Sequence, residues 1–179
     1  MATSRQEAQW VLRAQANDRE ALELLLRGVQ PSLRRYVEGL VGSRDAEDVL
    51  QDVLILVCRK LGWLRQPELF RAWAYRIASR TAFRHLKKER RWLERTTDES
   101  ALESVPALSE YPPNAIVQQL LNSEALSPAS RAVLVLHFEE EMTLAEVSAV
   151  LEIPLGTVKS RLAFGLTALR KQLADRRRL

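Results

Sequence analysis

Apolar residues recur at intervals of three and four along most of this chain, and the alternation expected of β-strands is absent. One such stripe ends at Gly42 and consists of Leu33, Tyr36, Val37, Leu40 and Val41. This spacing places side chains on a single face of a helix, which must then be buried against other helices. The sequence therefore predicts an all-α fold.

A polar segment divides the helical pattern in two. Between Thr96 and Leu126 there are five acidic residues and no Lys or Arg, together with Pro106, Pro112 and Pro113. Such a segment is too polar and too rich in proline to form a core. We expect a domain at 8–95, a linker at 96–113 and a second domain at 114–176, with a short helix near 114–122.

Several helix boundaries can be predicted from capping residues. Asn17 with Glu20 is typical of a capping box, and Asp45 is a candidate cap for the third predicted helix. Pro31 is expected to interrupt the helical pattern before the stripe described above. A longer fourth helix is expected from about Pro67 to Glu94.

The composition argues against catalysis. The net charge of +4 permits a polyanionic partner, but there is no glycine-rich phosphate loop, and one cysteine with two histidines supplies no plausible catalytic or metal-binding set. Cys58 lies in an apolar run, which predicts a buried thiol. We expect no enzymatic activity, cofactor or metal. Because no leader peptide or membrane span is recognisable, we also expect a cytoplasmic protein.

The segment from Thr143 to Arg161 predicts two short helices joined by a tight turn. Thr143 and Glu146 form a capping box for the first helix, and Pro154 suits the first turn of the second. Small and basic residues at the start of a second helix are suited to the DNA major groove. The candidate contacts are Thr157, Lys159, Ser160, Arg161 and Phe164. An ordinary helical hairpin with solvated basic residues is the alternative.

The fourth predicted helix carries a basic ridge within an arc of about 120°. Its candidate nucleic-acid contacts are Trp73, Arg76, Arg80, Arg84, Lys87, Lys88 and Arg91. Basic side chains that follow a backbone, with an aromatic on which a base can stack, favour single-stranded nucleic acid. The alternative is a solvated charged face, with Trp73 anchored in the core.

The third predicted helix has the opposite charge. Its acidic and amide face consists of Asp45, Glu47, Asp48, Gln51 and Asp52. A basic protein partner would explain this cluster of carboxylates, and helix capping with solubility explains it equally well.

Three segments together resemble the extracytoplasmic-function (ECF) sigma factors, small members of the sigma-70 family of bacterial transcription initiation factors. They read RDAEDVLQDV at 44–53, FRAWAYRIA at 70–78, and the segment 144–162. The resemblance extends from about Asp18 to Leu173. It implies two helical domains on a flexible linker: a region 2-like bundle and a C-terminal region 4-like helix-turn-helix domain.

The resemblance also implies a role for each segment. The acidic face would dock on the β′ clamp helices of core RNA polymerase, and the β flap is a second expected contact. The basic ridge and the preceding loop, 62–68, would read and open the minus-ten element, while the helix-turn-helix would read the minus-thirty-five element. The linker would run towards the polymerase active site and RNA exit path, and an anti-sigma factor is an expected partner.

Two departures from the family pattern affect promoter reading. Arg80 and Arg84 stand where the family often has asparagine and aspartate, and an arginine lacks the paired donor and acceptor of an amide. Phe164 stands where arginines usually continue the recognition helix, and it could contact a thymine methyl or pack on the protein.

The sequence therefore predicts a sigma factor that directs promoter recognition, DNA melting and transcription initiation. One alternative is a free-standing helix-turn-helix regulator that binds operator DNA without polymerase. Another is a polymerase-associated or anti-sigma-bound protein that has lost promoter reading.

Overall fold

The structure is a computed structural model, and it describes residues 4–96 and 126–176. Within these ranges the elements are helices and turns, without strands, as the spacing of apolar residues predicts. The α-helices are α1 Ser4–Gln15, α2 Arg19–Val41, α3 Ser43–Lys60, α4 Phe70–Thr96, α5 Pro128–Leu134, α6 Leu144–Leu151 and α7 Leu155–Arg176.

Helices α1 to α4 form an N-terminal bundle around one apolar core. Tyr36 and Tyr75 meet edge to face in its centre, with ring centroids 5.1 Å apart. The Tyr36 hydroxyl lies 2.7 Å from the hydroxyl of Ser79, so this buried polar group has a partner. Helix α1 joins the bundle through Glu7, a buried carboxylate that receives three hydrogen bonds of 2.7–3.0 Å from the Arg71 guanidinium.

The predicted capping box at Asn17 is wrong by one residue. Asn17 takes a left-handed backbone with φ of 67°, whereas Asp18 is extended and caps α2. The Asp18 carboxylate accepts a hydrogen bond of 3.1 Å from the Ala21 amide, and this bond lowers its pKa, aided by Arg13. Asn17 is one of the residue types that tolerates positive φ, which explains its place in the turn.

Pro31 does not interrupt the helix, contrary to expectation. Helix α2 runs continuously past it, with Pro31 itself exposed and with Val29 and Leu33 fully buried on the opposite face. A proline inside a helix costs about 3 kcal/mol. Burial of the apolar face on both sides of Pro31 offsets that cost, because each fully buried Val or Leu contributes about 1.5–3 kcal/mol.

The predicted cap at Asp45 is also wrong. Gly42 ends α2 with φ of 84° and serves as the N-cap of α3, which begins at Ser43. Asp45 therefore lies in the first turn of α3, where the helix dipole favours a carboxylate.

Helices α5 to α7 form a C-terminal module, in which α6 and α7 are the predicted pair of helices joined by a tight turn. Ser127 caps α5 by accepting a hydrogen bond of 3.2 Å from the Ser130 amide, and a π-helical turn, Val135–Glu139, follows that helix. Gly165 is buried where α7 meets α5. A Cβ at this position would lie 2.8 Å from Leu134 Cδ1, which explains the glycine in α7.

The two modules pack against each other. Helix α6 lies against α4, and α5 lies against α2. Arg131, on α5, donates a hydrogen bond to the backbone carbonyl of Gly39 on α2. Its partial burial lowers the pKa of this guanidinium.

The linker after Thr96 and the predicted short helix at 114–122 lie outside the described residues, so both stay predictions. In the parts of the chain that are described, no helix combines the length and the apolar character needed to cross a bilayer.

Candidate nucleic-acid and protein interfaces

Four of the five residues of the acidic face on α3 are exposed. They are Glu47, Asp48, Gln51 and Asp52. The Glu47 carboxylate pairs with the Arg34 guanidinium at 2.8 Å, and both side chains are exposed. Asp45 differs, because it is half-buried and its Oδ2 lies 3.3 Å from His85 Nε2 on α4. The structure thus brings four predicted contacts to the surface and turns the fifth towards the bundle.

An open groove of about 380 Å³ borders this acidic face. Its apolar lining includes Leu54, Ile55 and Cys58, and Glu47 and Gln51 lie on its border with the acidic face. Cys58 is exposed here, so the predicted buried thiol is wrong. Partial burial among the groove residues nevertheless raises the pKa of its thiol. Sequence reasoning missed the groove because the apolar run at 53–58 is too continuous to show which residues face outwards.

Asp45, His85 and Glu89 form a group that could hold a cation. One potential ligand atom from each lies within 4.8 Å of the others. Asp45 and His85 are half-buried and Glu89 is exposed. Asp45 and His85 already contact each other between α3 and α4, and this contact explains why they lie close together without a cation.

The basic ridge on α4 is present, and its far half is open to solvent. Arg84, Lys87, Lys88 and Arg91 are exposed, while Tyr75, Ala78 and Ala82 on the other side of the helix are buried. The helical arrangement predicted from the sequence is therefore correct for these positions.

The near half of the ridge is engaged by the C-terminal module. Arg76 donates a hydrogen bond of 2.7 Å to the Ala149 carbonyl on α6. Arg80 donates two hydrogen bonds to the Glu152 carboxylate, one of 3.0 Å from Nε and one of 2.5 Å from a terminal nitrogen. Hydrogen bonding from Arg80 lowers the pKa of Glu152. This pairing could not be predicted from the sequence, because the partners are 72 residues apart.

Two tryptophans flank the start of α4 with different exposures. Trp73 is half-buried and its ring lies 6.2 Å from that of Phe70, which favours the anchoring alternative for this residue. Trp63, in the turn between α3 and α4, is 78% exposed. Gln15 holds this turn by donating to the Leu61 and Leu64 carbonyls at 2.9 and 2.8 Å. Trp63 was missed as an individual candidate, although it lies in the loop expected to read DNA.

The helix-turn-helix has the predicted geometry. The Glu146 carboxylate accepts from the Thr143 amide at 2.7 Å, and Thr143 Oγ1 accepts from the Glu146 amide at 3.2 Å, so the capping box is confirmed. Glu152 ends α6 in a left-handed conformation with φ of 56°. Pro154 directly precedes α7, and its carbonyl accepts a bond of 3.1 Å from the Val158 amide.

The five candidates on α7 differ in exposure. Lys159, Ser160 and Phe164 are exposed, with Phe164 at 64%, whereas Thr157 and Arg161 are half-buried. Val158 is fully buried and anchors the helix to its module. An exposed phenylalanine beside a serine and a lysine can make apolar, hydrogen-bonding and phosphate contacts along one helix.

Comparison with known proteins matches both modules to one family. Residues 25–92 match sigma-70 region 2, and residues 124–171 match sigma-70 region 4. The first segment contains the acidic face and the basic ridge, and the second contains the helix-turn-helix.

Similar proteins extend the match over nearly the whole chain. The RNA polymerase sigma-H factor of Pseudomonas aeruginosa is 31% identical over 97% of this chain and 96% of its own length. The ECF RNA polymerase sigma-E factor of Escherichia coli K12 is 31% identical over 85% of this chain and 86% of its own. SigW of Bacillus subtilis, also an ECF sigma factor, is 29% identical over 73% of this chain and 76% of its own length.

Solved structures share the fold. CnrH in complex with the cytosolic domain of CnrY matches with a TM-score of 0.65 at 21% identity, covering 95% of this chain and 98% of that one. The sigma factor RpoE of Bartonella quintana, in complex with the anti-sigma factor NepR, matches with a TM-score of 0.68 at 22% identity, covering 85% and 96%. Together with the family and sequence matches, these findings show that the chain belongs to the sigma-70 family of RNA polymerase sigma factors, within its ECF group.

Proposed function

We propose that this chain recruits core RNA polymerase through α3, contacts the minus-ten element through α4 and the turn before it, and contacts the minus-thirty-five element through α7. The observation that carries the proposal is that α3, α4 and α7 each have charged or candidate recognition side chains outside the core. A packed bundle does not need Asp48, Asp52 or Phe164 for its stability, since all three are exposed. The chain performs no chemistry of its own in this role.

The docking surface combines charge with an apolar groove. Asp48 and Asp52 are exposed carboxylates one helical turn apart, and Leu54 and Ile55 line the neighbouring groove. Complementary charge steers association, while apolar area that leaves water supplies much of the affinity. This surface suits the basic and apolar face of a helical partner, and the partner we assign is the pair of β′ clamp helices. We assign the β flap to the C-terminal module.

Charge reversal tests the docking surface. Asp48→Lys with Asp52→Lys should weaken binding to sigma-free core polymerase by about tenfold or more at low salt, because like charges then face each other. Fluorescence anisotropy of labelled protein, titrated with core, measures this affinity. The fold should persist, since both side chains are exposed.

A matched control keeps the charge change and moves it elsewhere. Glu23→Lys with Glu38→Lys alters two exposed glutamates on α2 by the same total charge. This variant should bind core nearly as well as the unmodified protein. Equal affinity for the two double variants would contradict the assignment of the α3 face.

The exposed ridge is suited to the backbone of a melted strand. Arg84, Lys87, Lys88 and Arg91 can each neutralise a phosphate, and Trp63 offers a face on which an unpaired base can stack. Arg80 is assigned a phosphate or stacking contact, in place of the amide contact that an asparagine would make.

An anti-sigma factor is a proposed regulatory partner. One of the matching structures is a sigma factor bound to the anti-sigma factor NepR, and another is CnrH bound to the cytosolic domain of CnrY. The exposed apolar side chains of α3 and α7, including Ile55 and Phe164, are available to a partner of this kind.

A further inference from the structure

Four arginines make polar contacts between the two modules. Across the described interface, Arg71 pairs with Glu140 at 3.5 Å, Arg76 donates to the Ala149 carbonyl, Arg80 binds Glu152, and Arg131 donates to the Gly39 carbonyl. Two of these, Arg76 and Arg80, belong to the ridge assigned to DNA. The same side chains therefore have two possible partners.

The Glu152 carboxylate binds the Arg80 guanidinium as a phosphate would. Its two carboxylate oxygens lie 3.0 Å and 2.5 Å from two guanidinium nitrogens of Arg80, and one of them lies 3.9 Å from Arg76 Nε. Carboxylate and phosphate bind the guanidinium fork through the same paired geometry. A phosphate cannot take this position on Arg80 until the carboxylate leaves.

The position of Glu152 couples this contact to the helix-turn-helix. Glu152 is the last residue before the turn into α7, in a left-handed conformation that a glutamate adopts only at a cost. Its neighbour Ala149, on the preceding turn of α6, supplies the carbonyl that binds Arg76. Movement of α6, and with it the C-terminal module, away from α4 would therefore break the contacts of Arg76 and Arg80 together.

We propose that Glu152 acts as an internal competitor for DNA: in the closed arrangement it holds Arg80 and Arg76, and it withholds the near half of the minus-ten ridge until the two modules separate. This inference rests on the proposed function of the ridge. Its structural part, the closed arrangement held by Glu152, can be measured without any promoter.

The strength of this contact determines how large an effect to expect. Arg80 and Glu152 are partly exposed, with side-chain exposures of 58% and 44%, so water and salt screen the pair. Loss of a pair of this exposure should tighten DNA binding by about twofold to fivefold. A larger effect is expected from charge reversal, because a lysine would repel both arginines.

The first experiment measures the affinity of the free protein for DNA. The probe is a dye-labelled 20-nucleotide single strand of mixed sequence, since contacts to phosphate do not depend on sequence. Glu152→Gln is compared with Glu141→Gln, which removes one carboxylate from the same module at an exposed site with left-handed backbone. Both lose the same charge, so the difference between them isolates the contact with Arg80.

The expected result is that Glu152→Gln binds the strand about twofold to fivefold more tightly than Glu141→Gln, and that Glu152→Lys exceeds Glu141→Lys by more. Far-ultraviolet circular dichroism confirms that all four variants fold. Equal affinities within each matched pair would overturn the proposal.

The second experiment measures the separation of the modules. Cys58 is the only native cysteine, and it is exposed on α3. With Ser160→Cys on α7, each module carries one cysteine for a spin label. Electron paramagnetic resonance then gives the distribution of distances between the two labels. One narrow distribution is expected for Ser160→Cys alone, and a broader or longer one after Glu152→Lys is added. An unchanged distribution after Glu152→Lys would contradict a closed arrangement held by this residue.

Failure of this inference is distinguishable from failure of the proposed function. If core polymerase with this chain gives defined transcript starts while the matched variants bind DNA equally, the competitor role is wrong and the sigma function stands. If the Glu152 variants open the molecule and no starts are found, the closed arrangement stands and the proposed function is wrong.

Discussion

The exposure of Phe164 favours one of the two roles that the sequence leaves open, which are contact with a thymine methyl and packing on the protein. Its side chain is 64% exposed on α7, so packing on the described part of the protein does not account for it. Ser160 is exposed one turn earlier on the same helix. We therefore assign Phe164 to the major groove, where an aromatic side chain can contact the methyl group of a thymine.

Uracil substitution tests the Phe164 assignment. Replacing each thymine of the minus-thirty-five element with uracil removes only the methyl groups, so the holoenzyme should lose about fourfold in affinity per contacted methyl, at about 0.8 kcal/mol each. Phe164→Ala should bind the thymine and uracil duplexes equally. The measurement is a filter-binding competition between the two duplexes.

A uniform loss for both duplexes in Phe164→Ala, with the same thymine preference as the unmodified protein, would contradict the assignment. In that case Phe164 would contribute to affinity without contacting a thymine methyl.

At this scale the sequence predicts one of three local caps correctly and none of the distant contacts. Thr143 and Glu146 are only three residues apart, so their cap can be predicted from the sequence. The pairing of Arg80 with Glu152 joins residues far apart in the chain, and only the packing of the two modules creates it. The exposure of Cys58 was likewise decided by packing, because neighbouring helices determine which side of α3 is covered.

The cap of α6 is the element whose stability should depend most clearly on pH. Hydrogen bonds from the Thr143 hydroxyl and then the Thr143 amide lower the pKa of Glu146 below its usual 4.5. Because the folded pKa is the lower one, the ionised carboxylate stabilises the folded state above about pH 4.5. That contribution is lost as the pH falls through the lowered pKa.

Glu146→Gln should therefore be less stable than the unmodified protein at pH 7, by up to about 1 kcal/mol. Glutamine retains a side-chain oxygen that can accept the bond from the Thr143 amide, so only the charge is lost. Urea denaturation at several pH values from 7 to 3.5 should show the difference narrowing in the acid range. A difference that stays constant over this range would contradict the role of the ionised carboxylate.

At the scale of elements, the sequence predicts helices better than it predicts where they stop. Apolar spacing identifies α2, although Pro31 is expected to break it, because spacing shows the face to be buried and does not show how much that burial contributes. The boundary between α2 and α3 depends on Gly42, whose positive φ ends one helix and starts the next. Helix α1 was not predicted, and it belongs to the bundle through the buried pair of Glu7 with Arg71.

At the scale of the whole molecule, two modules were predicted, and their packing was not. The boundary positions 95, 113 and 114 remain predictions, since the chain between 97 and 125 is not described. The family could be identified from three segments, because their residues and their order along the chain resemble those of ECF sigma factors. The closed arrangement could not be predicted. Its contacts join Arg80 on α4 to the carboxylate of Glu152, and no sequence pattern connects these two residues.

The closed arrangement suggests an order of events for initiation. In the order that we propose, core polymerase first binds the exposed α3 face, whose exposed residues are free of inter-module contacts among those described. Separation of the modules then releases Arg76 and Arg80 to the melted strand, while α7 reaches the upstream duplex. Each module alone would read only one promoter element.

Mapping transcript starts tests the central claim most directly. Sigma-free core polymerase is incubated with genomic DNA, with and without this protein, and the 5′ ends of the transcripts are sequenced. The account predicts starts that need the protein and that share two upstream sequence blocks, at the minus-ten and minus-thirty-five positions, with a fixed spacing. No starts above those of core alone, or added starts without the two blocks, would contradict it.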